Sequence, residues 1–374
     1  MASTRSSPRS MSSSAPTPPN PTGSIADSEI PMRIHMSSIV SALAVALVAT
    51  SAAAAAPPAK KVSVVTTLNI LASVTREIGG NRVDVTALAK PNQDPHTLVA
   101  KPTFKVLAKN ADLFVELGLG LDIWGSAVTD ASGNPGIQTG QKGRAIASEG
   151  IETKELPATL SKAWGDIHPY GNPHVWLDPV NAKQLAANIA AGLGRVDPEG
   201  KDVYAANLKA FDTKIDDALY GHALVEEYGA SRLERLSRRN ELIDYLKAKG
   251  TYGKLGGWLK QAEALRGLKI ITYHKTWVYF CDRFGLEIRG ELEEKPGIPP
   301  SQDYLAQLIK KVQSEGIKVI FIDTIYPTKD GEFVAGKTGA KIVSSPIDVG
   351  GAPGTDSYFA LIGTLIERTL AAAK

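Results

Sequence analysis

The feature that most restricts the fold is an alternation of short β-branched apolar runs with helical periodicity, present twice along the chain and interrupted by a long helical stretch. Val62–Leu68 reads as a strand, Ile70–Ile78 as a helix closed by Gly79-Gly80, and Val83–Ala89 as a second strand. A short helix at Thr103–Lys109, a strand at Leu113–Leu117 and a further candidate strand at Arg144–Ala147 continue the pattern. After Asp178-Pro179, an N-cap followed by proline at the first helical position, the periodicity turns helical. Asp197-Pro198-Glu199 repeats that start signal ahead of a helix to about Leu219, with apolar residues at Val203, Leu208, Phe211, Ile215 and Leu219. Strand-and-helix alternation then returns at Lys269–Tyr273, Glu287–Glu291, Val319–Asp323 and Lys341–Val343, and a helix at Tyr358–Ala373 ends the chain.

Strands that alternate with helices build parallel sheets covered on their faces. With 374 residues the chain exceeds one small core. The expected fold is therefore α/β, with two lobes, each a central mostly parallel sheet flanked by helices, joined by one long spine helix. The boundaries expected are an N-terminal lobe over 57–196, a linking helix over 197–220 and a C-terminal lobe over 221–374. Within the last, 221–262 reads as a helical insertion punctuated by glycines. Residues 1–56 stand apart. Positions 1–31 are rich in Ser, Pro and Thr, and Met32-Arg33, the apolar Ile39–Val48 and the small residues Ser51–Ala56 have the layout of a cleaved secretory signal. The apolar run is too short for the ~20 residues of a membrane-spanning helix.

Composition excludes little but does exclude something. With 42 basic and 39 acidic residues the net charge is +3, and no Lys/Arg stripe with interleaved aromatics marks a nucleic-acid surface. The one charged cluster, Arg232 to Arg239, reads as the solvated face of a helix. The single cysteine, Cys281, lies in the aromatic segment Trp277–Phe280 and reads as a small buried hydrophobe. It cannot form an intrachain disulfide, and no cysteine near the N-terminus could carry a lipid.

Chemistry concentrates on histidine. His35 falls in the signal segment. His96 lies in Pro91-Asn92-Gln93-Asp94-Pro95-His96-Thr97, beyond a strand; His174 precedes the capped helix; His274 ends the strand Ile270–Tyr273. Such positions at strand ends are where α/β proteins form ligand sites. A neutral imidazole held rigidly there serves equally as a metal ligand or as a hydrogen-bonded structural residue, and spacing alone leaves both open. There is no His-Glu-x-x-His or Cys-x-x-Cys, so a metal site would be assembled from distant segments. Asp356, in a Gly/Pro loop before the last helix, is a candidate carboxylate ligand or the N-cap of that helix; Asp323 competes with it. His168, six residues before His174, reads as a surface residue.

Taken in order, Pro-His-Thr-Leu at 95–98, Asn-Pro-His-Val-Trp-Leu-Asp-Pro at 172–179, Thr-Tyr-His-Lys-Thr-Trp-x-Tyr-Phe at 272–280, Lys-Pro-Gly-Ile-Pro-Pro-Ser at 295–301 and Asp-Ser-Tyr at 356–358 resemble one family. They are similar to the metal-binding solute-binding proteins of zinc/manganese ABC importers, the ZnuA/TroA-like family, and the likeness runs from residue 61 to the end. The resemblance implies a metal held in a cleft between two α/β lobes by His96, His174, His274 and Asp356, and delivered to a membrane permease. It implies a periplasmic binding protein, not an enzyme, and a monomer is expected. The chain lacks the long His/Asp-rich loop of many zinc-specific members. Three imidazoles and one carboxylate suit tetrahedral Zn2+. Mn2+, which favours more oxygen donors, is the second choice. The rival readings are a zinc metallohydrolase with an open coordination position and a surface adhesin.

Overall fold

Both predicted arrays form, and they form the same way. In the computed structural model, which describes residues 60–157 and 168–374, β1 (Val62–Thr66), β2 (Val83–Ala87), β3 (Leu113–Glu116) and β4 (Arg144–Ile146) make a parallel sheet in the order β2-β1-β3-β4. In the second half β5 (Lys269–Thr272), β6 (Glu287–Glu291), β7 (Val319–Asp323) and β8 (Lys341–Ser345) repeat that order as β6-β5-β7-β8, again parallel. The expected signal segment and the rest of the 1–56 extension lie outside the described residues. Among those that are described, no helix is long and apolar enough to cross a membrane.

The pleat divides each strand between two cores, because successive side chains point to opposite faces. In the first sheet Val64, Leu113 and Val115 face inward, while Val65 and Phe114 face an outer layer with Phe104 of α2 (Pro102–Lys109) and Trp124 and Val128 of α3 (Trp124–Asp130). In the second, Ile270, Val319 and Phe321 face inward. Ile271, Ile320 and Ile322 face Leu305, Leu308 and Val312 of α11 (Gln302–Glu315) and Val334 of α12 (Lys329–Thr338). The two inward faces belong to one continuous core. Leu71 of α1 (Asn69–Gly79), Leu185 and Ile189 of α4 (Pro179–Val196), Phe211 and Ile215 of α5 (Lys201–Tyr220), Phe280 of α10 (Val278–Phe284) and Leu365 of α13 (Tyr358–Ala373) fill it. The lobes anticipated from the sequence thus share their interior.

The helix-start signals work as anticipated at one of two places. Asp178 caps α4, its carboxylate accepting from Val180 N at 2.9 Å with Pro179 at the first position. Asp197 does not cap α5, which begins only after a 3-10 turn at Pro198–Gly200. Its carboxylate instead takes Arg82 Nε at 2.8 Å and the Tyr204 hydroxyl at 2.5 Å. At 20 residues α5 is about 30 Å long, and it packs against α4 rather than crossing between the lobes alone.

Three short helices, α6 (His222–Tyr228), α7 (Ala230–Arg238) and α8 (Leu242–Ala248), occupy most of the expected insertion. Arg232, Arg235 and Arg239 are exposed, as the charge pattern suggested. Arg238 is exposed as well, and it also pairs with Glu234 and donates to Val180 O; Glu234 meets Lys183 of α4 at 3.0 Å. Cys281 is buried, and burial raises its thiol pKa.

Two buried carboxylates tie the halves together. Arg283 of α10 makes a bidentate pair with Asp178, 2.8 Å at both contacts, and donates to Ser237 O. Asp348, after β8, accepts from Asn69 N and Ile70 N at 3.1 and 2.6 Å. Leu68, the N-cap of α1, has no side-chain oxygen to offer, so a residue 279 positions away supplies the cap. Asp348→Ala should lower unfolding stability by at least about 2 kcal/mol, since it strands buried N–H donors at a helix N-terminus. Urea denaturation of wild type and variant checks this.

Candidate metal centre

Each histidine singled out in the sequence sits on a short segment fixed by its neighbours. His96 lies on the loop after β2. Trp124 Nε1 donates to Pro95 O at 3.0 Å, and Asp94 Oδ1 accepts both His96 N, at 2.9 Å, and His96 Nδ1, at 2.7 Å. His174 repeats this arrangement. Asn172 Oδ1 accepts His174 N and Nδ1, both at 3.0 Å. The Asn172 amide also donates to Lys275 O at 2.5 Å, so one side chain orients His174 and anchors the residue after His274. Gly171 makes the tight approach possible. Its φ is +88°, and a Cβ there would stand 2.6 Å from Thr153 Oγ1 and 2.8 Å from Lys154 O. His274 follows β5, and its Nδ1 meets Glu293 Oε2 at 2.8 Å.

The three contacts have one chemical consequence. An ionised carboxylate or an amide oxygen only accepts, so each Nδ1 carries the proton and each Nε2 presents a lone pair. For Asp94, burial pushes the pKa up but the hydrogen bond and charge of His96 outweigh it, and the net pKa lies below the usual carboxylate value. Nε2 of His174 and of His274 is buried with no hydrogen-bond partner among the described residues, an arrangement that is costly unless something else satisfies the lone pair. The rings converge. His96 lies 5.2 Å from both His174 and His274, centroid to centroid, and those two are 5.9 Å apart. Trp176 packs at 5.3 Å from His174 and Tyr326 at 5.7 Å from His274, which walls the site with aromatic surface.

Asp356 is not brought to the three rings. Asp356 is exposed, has no hydrogen bond or ion pair to the histidines, and lies one residue before Ser357, which is the actual N-cap of α13 and accepts from Ala360 N. Asp323, the competing carboxylate, is fully buried at the end of β7, where burial raises its pKa to about 7; it too stands outside the cluster. His168, read from sequence as a surface residue, is half-buried, and its Nε2 is 3.1 Å from His96 Nε2. Ligand nitrogens of His96, His168 and His274 all lie within 4.8 Å of one another. Burial, then the neighbouring His96 and His274, lowers the pKa of His168 to about 3. Burial first, then His96, His274 and His168, takes His174 well below its ordinary value. Neutral imidazoles with convergent lone pairs are what a divalent transition ion requires.

Residues 64–219 and 247–372 match the ZnuA family, described as zinc-uptake complex component A, periplasmic. The unmatched residues between, 220–246, hold α6, α7 and most of α8. The iron ABC transporter substrate-binding lipoprotein MtsA of Streptococcus pyogenes serotype M1 is 25% identical over 318 residues, 82% of this chain and 87% of that one. The manganese ABC transporter substrate-binding lipoprotein PsaA of Streptococcus mitis is 31% identical over 157 residues, 42% of this chain and 49% of its own. Among solved structures, the crystal structure of ZnuA aligns with a TM-score of 0.62 at 22% identity, covering 84% of this chain and all of that one. The laminin-binding protein Lmb of Streptococcus agalactiae, described as having adhesin and metal transporting activity, aligns at 0.60 with 23% identity and the same coverage. These structural likenesses bear on the fold.

The depressed histidines fix a sign. As pH falls through about 6.5 the unfolded chain protonates at position 174 while the folded chain does not, so ν_U exceeds ν_N and stability falls by up to about 1.4 kcal/mol per pH unit for this group. Raised carboxylates such as Asp323 act in the opposite direction and cancel in a comparison with a variant. Metal-free His174→Gln should therefore lose less stability than wild type between pH 7 and pH 5, measured by chemical denaturation at both values.

Proposed function

The chain belongs to the ZnuA family of periplasmic zinc-uptake components, and from that premise we propose that it captures zinc outside the cytoplasm with His96, His174 and His274 and passes it to the permease of an ABC importer. The observation that carries this reading is the set of three imidazoles whose Nδ1 atoms are each held by an oxygen, leaving Nε2 turned inward. Such outer partners fix tautomer and ring orientation, and their loss typically costs about 10–100-fold in metal affinity.

Donor chemistry supports zinc over manganese. Imidazole nitrogen suits zinc, whereas manganese favours carboxylate and water oxygen, and the carboxylates of Asp94 and Glu293 are engaged with the Nδ1 atoms of His96 and His274. Manganese remains the alternative cargo, since the similar PsaA proteins carry that metal in their names. The family is a transport component, so the metallohydrolase reading falls away. An adhesin role is named for the similar Lmb and stays with that protein.

Elemental analysis of protein purified without chelators should find zinc, and competition should show zinc displacing manganese. The reverse order would overturn the choice of metal. His274→Ala should abolish tight binding, while Asp356→Ala should leave zinc affinity within about twofold of wild type, below the ~1.4 kcal/mol that a tenfold change represents; titration against a chromophoric chelator reads both.

A further inference from the structure

We propose that His168 is a fourth ligand of the cargo ion, so that the site is all-imidazole, and that this fourth nitrogen sets its preference against manganese. The inference rests on the metal-capture reading above.

The geometry of one contact begins the argument. The Nε2 atoms of His96 and His168 face each other at 3.1 Å. His96 Nδ1 is held by the Asp94 carboxylate, so His96 Nε2 carries a lone pair and points it at His168. Without an ion, His168 can only answer by donating its own Nε2 proton. With an ion between them, both lone pairs are used. Zn–N bonds of about 2.0–2.1 Å put the edge of a tetrahedron at about 3.3 Å, close to the observed separation. The His274 nitrogen joins the same set, and the orphaned Nε2 of His174 lies on a ring packed 5.2 Å from His96 and 6.2 Å from His168.

Elimination supports the same residue. Asp356 is exposed with no hydrogen bond to the rings, Asp323 is sealed at the end of β7, and among the described residues the close group of metal-capable atoms is His96, His168 and His274, with no carboxylate in it; His174 stands outside that group and is tied to it by ring packing alone. His168 also differs from its three neighbours. Among the described residues no oxygen holds its second nitrogen, and Gly171 N donates to His168 O at 3.1 Å.

The test uses the full-length exported protein with His168→Ala, His168→Asp and His274→Ala variants. Zinc and manganese affinities are measured by chelator competition, and the Co2+-loaded forms by visible absorption. His168→Ala should weaken zinc binding by at least about tenfold, alter the Co2+ spectrum and change manganese affinity by far less. His168→Asp should shift the zinc-to-manganese preference toward manganese by about tenfold or more. Unchanged zinc affinity and an unchanged Co2+ spectrum in His168→Ala, with binding still abolished in His274→Ala, would overturn the role of His168 and leave the capture reading standing. A wild-type protein that binds no zinc would overturn both. Circular dichroism confirms that each variant is folded.

Discussion

The site depends on a pairing that contains none of its ligands. Asp178 lies four residues beyond His174 and caps α4; its remaining capacity is taken by the Arg283 guanidinium, from the far lobe, with both groups nearly fully buried. A buried ion pair of this kind contributes modest net stability, but breaking it strands a charge and costs about 3–5 kcal/mol. Its effect is therefore positional. It fixes where the Asn172–Leu177 segment meets α10, and Tyr279 of α10 donates to Asn172 O at 2.7 Å in the same seam. From that seam the Asn172 amide reaches both His174 and the backbone beside His274. Two of the convergent imidazoles, from different lobes, are thus set against one polar framework.

Preorganisation explains why two of the rings are held so low on the proton scale. Burial, and then the neighbouring imidazoles, make protonating His168 and His174 unfavourable. The same crowding that would be costly in an ordinary core keeps the lone pairs available at neutral pH. The costs that remain, unpartnered Nε2 atoms on His174 and His274, are those a bound cation removes.

Much of this was legible in the sequence. The apolar runs marked the strands, and their separation marked parallel pairing. The three histidines that the fold brings together, His96, His174 and His274, were visible as rare residues at strand ends and helix starts. What lay in plain view but unused was a short repeat: Asp94-Pro95-His96 and Asn172-Pro173-His174 place the same Asx oxygen on the histidine's own N–H and Nδ1. The proline fixes the backbone between the two residues, and the local hydrogen bond follows. Glu293, 19 residues from His274, has no such signal, because its approach depends on where β6 ends relative to β5. His168 was hidden for a related reason. Proximity to His96, 72 residues away, is a product of tertiary packing. For Asp356 the sequence leaves the direction open, because a loop aspartate before a helix looks the same whether it turns inward or outward; here Ser357 takes the cap and Asp356 is exposed.

The shared interior has a thermodynamic meaning. Two lobes with separate cores could melt apart, each with its own transition, and an ion between them would stabilise only their association. Here the inward faces of both sheets and the helices between them form one apolar mass, so unfolding either half exposes the other. Such a molecule is expected to unfold as one cooperative unit, and an ion bound at the histidines raises the unfolding free energy of all of it by RT ln(1 + [L]/Kd). On the proposed reading, metal supply would then bear on how long each copy survives proteolysis as well as on what it carries: a starved pool would expose its unfolded form more often than a loaded one.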